Sequence, residues 1–101
     1  MKNKAVFLDR DGTINVDKGY VHKVEDLEII PGVVFGLKKL QDKYKRIIVT
    51  NQSGIARNYY IEEDYFNFRY EMHKRLREQG ILINAEYFCP HIQEENCNCR
   101  K

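Results

Sequence analysis

The stretch that decides the fold is Ala5-Val6-Phe7-Leu8-Asp9-Arg10-Asp11-Gly12-Thr13, residues 5–13 of the chain. Its first four residues form a short, fully apolar run, which is typical of a buried parallel strand. We expect the strand to end at Asp9, where a polar turn begins and Gly12 permits a tight backbone. The carboxylates of Asp9 and Asp11 therefore leave a buried strand together.

The residues that follow predict a helix and a second strand. Val33, Leu37, Leu40 and Tyr44 recur at spacings of about four, three and four residues, which places them on one face of an amphipathic helix. The β-branched run from Arg46 to Thr50 then predicts a strand, because such residues favour extended backbone.

The last third of the chain predicts one more helix and one more strand. Residues 62–79 indicate a long helix with an acidic first turn, which ends at Gly80, and residues 85–89 indicate a strand. Strand, helix, strand, helix, strand is the pattern of an α/β fold, in which a Rossmann-like parallel sheet has right-handed crossovers. The apolar stripe expected on the long helix comprises Tyr65, Phe66, Phe68, Met72 and Leu76.

Composition narrows the class of protein. The chain has 101 residues, which is one small domain, and its net charge is only +2. This balance provides no argument for a nucleic-acid or membrane-surface partner. No apolar run approaches the ~18 residues of a membrane-spanning helix, and the apolar start is too short for a signal peptide. A soluble, cytoplasmic protein is expected.

The first polar cluster, Asp9 to Thr13, has the residues of phosphoryl transfer. One carboxylate, Asp9, can act as a nucleophile, and the other, Asp11, as an acid and base. Two acidic groups at one site also favour a divalent cation such as Mg²⁺, which would neutralise a phosphate. The alternative is an ordinary Asx-rich turn at the end of a strand. The position directly after an apolar strand favours the catalytic interpretation.

The second polar cluster, Thr50-Asn51-Gln52-Ser53, follows the second strand. Its hydroxyl and amide groups could hold phosphate oxygens, although polar residues after a strand are also ordinary in any loop. Ligands of parallel sheets bind beyond the carboxyl ends of the strands, so the two clusters are expected on one face. Of the single histidines, His22 could lie near the site, although a solvated loop position is favoured, and His73 is expected at the surface or boundary of the long helix.

The third cluster predicts a structural zinc site in a loop over residues 89–99. All three cysteines lie among the last thirteen residues, whereas a secreted disulfide framework would spread an even number along the chain. A Cys₃His set suits tetrahedral zinc and leaves no ligand position for a catalytic water. The alternative is a group of unpaired cysteines beside an incidental histidine. The candidate ligands are Cys89, His91, Cys97 and Cys99.

Taken together, these motifs resemble the haloacid dehalogenase superfamily of phosphatases, in particular its heptose bisphosphate phosphatase and histidinol-phosphatase branches. The matching stretches are residues 7–15, 17–22, 50–57, 89–91 and 97–101. The resemblance implies a magnesium-dependent hydrolase that removes the 7-phosphate of a heptose 1,7-bisphosphate in lipopolysaccharide precursor synthesis. Its partner would be a small sugar phosphate. A nucleic-acid 3′-phosphatase shares the first motif, but the near-neutral charge disfavours that reading.

The resemblance also implies a role for individual residues. Asp9 would form a phosphoaspartyl intermediate, and Asp11 would protonate the leaving oxygen and then activate water. Mg²⁺ would bind the Asp9 carboxylate and the Asp11 main-chain carbonyl. Thr50 would hold the phosphoryl group and Lys101 would neutralise it. The substrate contacts implied are Asp17, Lys18, Gly19, Tyr20, Thr50, Asn51, Gln52, Ser53, Arg100 and Lys101.

Some features divide the two branches or depart from both. Residues 16–22 and 52–57 favour the heptose branch, whereas the five-residue spacer of the zinc loop favours the histidinol branch. Asn58 stands where the heptose enzymes usually have Gly, and it tolerates a left-handed backbone. Ile61 replaces a Ser or Thr helix cap, at a cost of ~1 kcal/mol.

The resemblance implies further strands and an acidic, magnesium-completing motif after the zinc loop. On this basis residues 1–101 are expected to be an N-terminal portion of the phosphatase domain, with its first three strands only. The first strand would then expose an unpaired edge, and the chain would associate with itself or with a missing C-terminal segment. A catalytically impaired, zinc-stapled binding module is the alternative function.

Overall fold

The fold was obtained as a computed structural model, which describes residues 4–90. Strands and helices alternate along these residues, and the three strands form one parallel sheet in the order β1-β2-β3. The α/β prediction is therefore confirmed. The elements are β1 (Lys4–Leu8), α1 (Val33–Gln41), β2 (Tyr44–Asn51), α2 (Glu62–Glu78) and β3 (Ala85–Cys89), with a short 3₁₀ helix over Val24–Asp26 before α1.

Both helices pack on the same face of the sheet. Ile48 of β2 is fully buried in one cluster with Leu37 of α1 and with Phe68 and Met72 of α2. This arrangement follows from the strand order, because two crossovers of the same hand between neighbouring strands bring both helices to one side. Because β1 and β2 are parallel, the polar residues that follow them meet at one end of the sheet.

The opposite face of the sheet is open among the described residues. Side chains alternate along a strand, so Phe7, Ile47 and Tyr87 point away from the helices. Phe7 is 66% exposed and Tyr87 is 62% exposed. Within residues 4–90, β1 is covered on one face only, so the expectation of a buried strand is wrong for this part of the chain. The expected edge is present in the described sheet, where β1 pairs with β2 alone.

We expect this open face to make the chain associate at high concentration. Replacing Phe7 by Lys should lower that association, because a charge on an exposed strand opposes edge pairing and apolar contact. Sedimentation velocity over a range of concentrations measures the effect. The matched control is Phe35→Lys, which changes a Phe that is 65% exposed on α1. An equal loss of association in both variants, or none in either, would contradict this role for the β1 face.

The expected boundary between α1 and β2 needs correction. Tyr44 was expected on the α1 face, but α1 ends at Gln41, and Tyr44 opens β2 opposite Lys4. The helical spacing of Tyr44 is therefore coincidental, since the chain turns at Lys43, whose N–H donates to the Leu40 carbonyl oxygen at 3.0 Å.

On α2 the expected apolar stripe is right except at one position. Tyr65, Phe68, Met72 and Leu76 are buried, but Phe66 is 45% exposed. Residues next to each other on a helix lie about 100° apart, so Phe66 falls beside the stripe, where its ring has edge contacts with Tyr65 and Phe88.

The turn that leads into α2 has the backbone expected from its residues. Asn58 has a left-handed φ of 62°, as its identity allowed. Ile61 is the N-cap and provides no side-chain cap, as predicted, but its own N–H donates to the Asp64 carboxylate at 3.0 Å. Only one half of a capping box is present, because Ile61 has no side-chain acceptor. At its other end α2 stops at Glu78, two residues before Gly80, where φ is 83°.

A polar cluster joins α2 to β3. The buried Glu86 carboxylate accepts a hydrogen bond from the Tyr65 hydroxyl, and His73 Nε2 lies 2.7 Å from Glu86 Oε1. Burial is the main cause that raises the pKa of Tyr65, so its hydroxyl stays a donor. His73 has the boundary position expected of it, and it holds α2 against the sheet. Within residues 4–90 no helix is both long and apolar enough to cross a membrane.

Candidate active site

The turn after β1 presents Asp9 and Asp11 at the end of the strand. Gly12 has a φ of 84°, and its N–H donates to the Asn15 carbonyl oxygen at 2.8 Å. A residue with a side chain rarely adopts this φ, so glycine is needed here. The Ile14 N–H donates to the Arg10 carbonyl oxygen at 2.8 Å and closes the turn. Asp9 is left exposed, and Asp11 is half-buried.

The Asp11 carboxylate is held by one of its two oxygens. Asp11 Oδ1 accepts hydrogen bonds from Arg10 Nε at 3.0 Å, Arg10 Nη2 at 2.8 Å and Asn15 Nδ2 at 3.0 Å. Asp11 Oδ2 has a longer contact, 3.4 Å, with Gln52 Nε2. With Oδ1 engaged by three donors, Oδ2 is the oxygen that can exchange a proton with a bound molecule.

Arg10 belongs to the candidate site, although sequence reasoning did not place it there. Its side chain is buried, its Nη2 also donates to the Val21 carbonyl oxygen at 3.1 Å, and its guanidinium lies 4.4 Å from the centre of the Phe68 ring. An ion pair with Asp11 and an aromatic face offset the cost of burying the charge. The position of Arg10 between Asp9 and Asp11 could have indicated an ion pair, but nothing in the sequence showed that the side chain would turn inward.

The end of β2 is joined to the end of β1 by a side chain. Thr50 and Gln52 are both buried, and Gln52 Nε2 donates to Thr50 Oγ1 at 2.8 Å. The Gln52 backbone N–H donates to the Cys89 carbonyl oxygen at 2.7 Å, which ties this loop to β3. The two polar clusters therefore lie side by side, as the parallel sheet predicts.

Two adjoining cavities open at this end of the sheet, and Asp11, Asp17 and Asn51 line both of them. The first, of about 230 Å³, contains the paired carboxylates, and the second, of about 260 Å³, has an aromatic and amide lining. The first is lined by Asp9, Arg10, Asp11, Asp17, Thr50 and Asn51. The second is lined by Asp11, Asp17, Gly19, Tyr20, Asn51, Gln52, Ser53 and Tyr60.

Lys18 does not line either cavity. Asp17 Oδ1 accepts the Gly19 N–H at 2.9 Å, which forms an Asx turn. The Lys18 side chain instead reaches Glu28, with 3.4 Å between Nζ and Oε1, and is 44% exposed. The expectation that Lys18 contacts substrate is therefore not matched by its position.

Tyr60 and His22 form an aromatic wall, of which Tyr60 lines the second cavity and is a residue that sequence reasoning did not place in the site. Their rings are stacked, with centres 4.5 Å apart and planes 6° from parallel. Tyr60 is buried and donates to Gln52 Oε1, and burial is the main cause that raises its pKa to about 12. His22 lies in a loop, as expected, and this stacking leaves it half-buried rather than fully solvated.

The third cluster lies largely outside the described residues. Cys89 ends β3 and is buried, whereas His91, Cys97, Cys99, Arg100 and Lys101 fall beyond residue 90. Among residues 4–90 no three His, Cys, Asp or Glu side chains form a group that could hold a metal by themselves. The geometry therefore leaves the zinc prediction untested.

The chain is similar to curated phosphatases. It is 50% identical over 99 residues to a Thermoplasma volcanium protein named "Probable D-glycero-D-manno-heptose-1,7-bisphosphate 7-phosphatase", covering 97% of this chain and 68% of that one. It is 48% identical to the Haemophilus ducreyi D-glycero-beta-D-manno-heptose-1,7-bisphosphate 7-phosphatase, covering 100% of this chain and 60% of that one. It is 52% identical to the Campylobacter jejuni D-glycero-alpha-D-manno-heptose-1,7-bisphosphate 7-phosphatase, covering 100% of this chain and 58% of that one. The chain thus spans about 58–68% of these relatives.

Solved structures agree with the sequence relatives. The D,D-heptose 1,7-bisphosphate phosphatase from B. bronchiseptica, complexed with magnesium and phosphate, matches with a TM-score of 0.87 and 31% identity, over 97% of this chain and 56% of that one. A putative HAD-like phosphatase from Mesorhizobium loti matches with a TM-score of 0.85 and 29% identity, over 99% and 48%. No family model matches the chain.

Proposed function

Because the chain belongs to the haloacid dehalogenase-like family of D-glycero-D-manno-heptose-1,7-bisphosphate 7-phosphatases, we propose that it removes the 7-phosphate of a heptose 1,7-bisphosphate. The observation that carries this proposal is the cavity that Asp9 and Asp11 share with Thr50 at the ends of β1 and β2. Relatives named for the alpha and for the beta sugar match at similar identity, so the proposal covers both anomers.

The first half of the proposed reaction transfers the phosphoryl group to Asp9. A carboxylate oxygen of Asp9 forms a bond to phosphorus, and the bond between phosphorus and the sugar oxygen breaks. Asp11 Oδ2 gives its proton to that oxygen, which leaves as an alcohol. Asp9 suits the attacking role because it is exposed at the strand end, and Asp11 suits the acid role because only its Oδ2 is free of strong hydrogen bonds.

The second half releases phosphate. Water attacks the phosphorus of the phosphoaspartate, Asp11 Oδ2 takes a proton from that water, and the bond between Asp9 and phosphorus breaks. The enzyme returns to its starting state, with Asp11 protonated. Thr50 is proposed to hold the phosphoryl oxygens, and Lys101, which lies outside the described residues, is proposed to neutralise them.

Mg²⁺ fits the donors at this site. The cation prefers oxygen ligands and often takes only one or two carboxylates, with water and substrate phosphate completing its shell. The Asp9 carboxylate and the Asp11 main-chain carbonyl would hold it, and its charge would screen the phosphate. In support, the bacterial relative with this fold was solved with magnesium and phosphate.

The adjoining cavity is proposed to bind the sugar. Its lining offers hydrogen-bond donors and acceptors for hydroxyl groups, together with the aromatic face of Tyr20. Arg100, which is not among the described residues, is also proposed to contact the substrate. We propose a cytoplasmic location for the protein, because its proposed substrate is a sugar phosphate. The residues proposed to contact the substrate here are Asp17, Gly19, Tyr20, Thr50, Asn51, Gln52 and Ser53.

The test of this function is phosphate release in the presence and absence of Mg²⁺. Heptose 1,7-bisphosphate and histidinol phosphate are compared at equal concentration, and ³¹P NMR identifies which sugar phosphate is lost. We expect magnesium-dependent release of the 7-phosphate. Faster release from histidinol phosphate would favour the histidinol-phosphatase branch.

The alternative is a zinc-stapled binding module without turnover. The chain spans about 58–68% of its curated relatives, and the assay has to separate binding from turnover. The assay is therefore repeated with the remaining segment of a relative supplied by fusion or as a separate chain. Activity that appears only then supports the phosphatase proposal, whereas binding of sugar phosphate with no phosphoenzyme under either condition supports the binding module.

We keep the proposal of a structural zinc held by Cys89, His91, Cys97 and Cys99. Protein purified without chelator and with reduced thiols should contain about one zinc per chain. Replacing Cys97 by Ser should lower the zinc content well below one, because a hydroxyl is a much weaker zinc ligand than a thiolate. Elemental analysis after gel filtration measures this, with Asn98→Ser as the control in the same loop. Parent protein without zinc would refute the proposal.

A further inference from the structure

We infer that Tyr60 is a positioning residue, which fixes the Gln52 amide so that the Thr50 hydroxyl donates its hydrogen into the phosphate cavity. The inference rests on the proposed function and adds to it a residue that makes no contact with phosphate itself. It follows from a chain of hydrogen bonds that connects the aromatic wall to the carboxylates, through Tyr60, Gln52 and Thr50.

The first link orients the amide. The Tyr60 hydroxyl donates to Gln52 Oε1 in a buried setting. Among residues 4–90 this is the hydrogen bond found for the Tyr60 hydroxyl, so a flipped amide would leave a buried phenol hydrogen without an acceptor. The raised pKa of Tyr60, about 12, keeps that hydrogen in place across the physiological range. The Gln52 NH₂ group therefore faces away from Tyr60.

The second link sets the direction of the Thr50 hydroxyl. Gln52 Nε2 donates to Thr50 Oγ1 at 2.8 Å, so that oxygen acts as an acceptor on this side. A hydroxyl has a single hydrogen to donate, and here the hydrogen is free to point elsewhere. Thr50 lines the cavity that contains Asp9, and a phosphate oxygen there would accept this hydrogen.

The Asp11 carboxylate contacts the same amide less closely. Asp11 Oδ2 lies 3.4 Å from Gln52 Nε2, whereas Gln52 Nε2 lies 2.8 Å from Thr50 Oγ1. At the other end of the amide, the Tyr60 hydroxyl is the side-chain donor found for Gln52 Oε1 within residues 4–90. Tyr60 therefore opposes a flip of the amide, which would turn the carbonyl oxygen of Gln52 towards Thr50.

The Tyr60 ring is held independently of its hydroxyl. It is stacked on His22, and it lies so close to Gly54 that a Cβ at that residue would be 2.3 Å from Tyr60 Cε1. Gly54 is thus needed for the close approach of the ring. Replacing Tyr60 by Phe removes the hydroxyl and leaves both ring contacts, so the fold should be kept.

The experiment measures the affinity of inorganic phosphate, with Mg²⁺ present, for the parent chain, Tyr60→Phe and the control Tyr59→Phe. Tyr59 is largely exposed and meets Tyr20 by ring contact alone. We expect Tyr60→Phe to weaken phosphate binding about fivefold, the size of one net hydrogen bond, and Tyr59→Phe to leave it unchanged. The melting temperature of both variants is expected to stay near that of the parent.

A double-mutant cycle separates positioning from a general structural role. In a Thr50→Val background, Tyr60→Phe should weaken phosphate binding no further, because Tyr60 acts through the Thr50 hydroxyl. The same loss in both backgrounds would overturn the inference, as would unchanged phosphate affinity in the single variant.

A second measurement does not depend on phosphate. Proton exchange and chemical shifts of the Gln52 side-chain amide, followed by NMR, should change in Tyr60→Phe and not in Tyr59→Phe. Unchanged amide signals would overturn the inference even if the proposed function holds. If the parent chain binds no phosphate, the proposed function fails, and the amide signals alone then decide whether Tyr60 orients Gln52.

Discussion

Replacing Asp9 by Asn is expected to abolish turnover and the phosphoenzyme. The amide keeps the size and polarity of the side chain but has no anionic oxygen to attack phosphorus, so the rate should fall by ~10⁴-fold or more. Asp9 is exposed at the end of β1, and the substitution should therefore leave the fold intact. Phosphate release and acid-quench trapping of the phosphoaspartate measure the two effects.

The matched control is Asp42→Asn, at the exposed end of α1 and away from both cavities. It should retain the rate of the parent. A phosphoenzyme that persists in Asp9→Asn would show that another residue is the nucleophile. Because the chain spans only part of its relatives, both variants are measured under the condition that gives the parent its highest rate.

Replacing Asp11 by Asn should slow turnover by ~10²-fold or more while substrate still binds. The amide oxygen can take over the hydrogen bonds that Asp11 Oδ1 accepts from Arg10 and Asn15. The amide nitrogen then occupies the place of Oδ2 and cannot deliver a proton to the leaving sugar oxygen. Steady-state rates and substrate affinity measured separately should show a loss in kcat with little change in binding.

A change of leaving group tests the proton-transfer role of Asp11. An aryl phosphate with an acidic phenol leaves without protonation, so Asp11→Asn should form the phosphoenzyme from it at nearly the parent rate. Asp26→Asn, on the exposed 3₁₀ helix, is the control. An equal loss on the sugar and the aryl substrate would indicate that Asp11 acts by holding the site in shape rather than by moving a proton.

The secondary structure was largely determined by the sequence itself. The strand over residues 85–89, the helix from Glu62 and the parallel order of strands agree with the prediction. Period, turn residues and alternation are local signals, because they depend on neighbours within a few positions. Ligands of parallel sheets bind beyond the carboxyl ends of the strands, so the sequence also predicted that Asp9, Asp11 and Thr50 lie at one end of the sheet.

The partners of the polar side chains were decided only by the tertiary structure. Gln52 and Asp11 are 41 positions apart, and the Arg10 guanidinium turns inward towards Val21 and Phe68 although Arg10 also lines the first cavity. Lys18 was predicted to contact substrate together with its neighbours, but it follows the Asx turn at Asp17 and its side chain reaches Glu28 instead.

Long-range packing also explains why β1 differs from its prediction. An apolar run shows that a strand can be buried, but whether one face or two are covered depends on where the helices pack. Here both helices cover one face, and Phe7 remains open on the other. Sequence periodicity thus determined which elements form, whereas long-range packing determined which side chains meet. The reason is that burial and hydrogen bonding depend on segments that come together only when the chain folds.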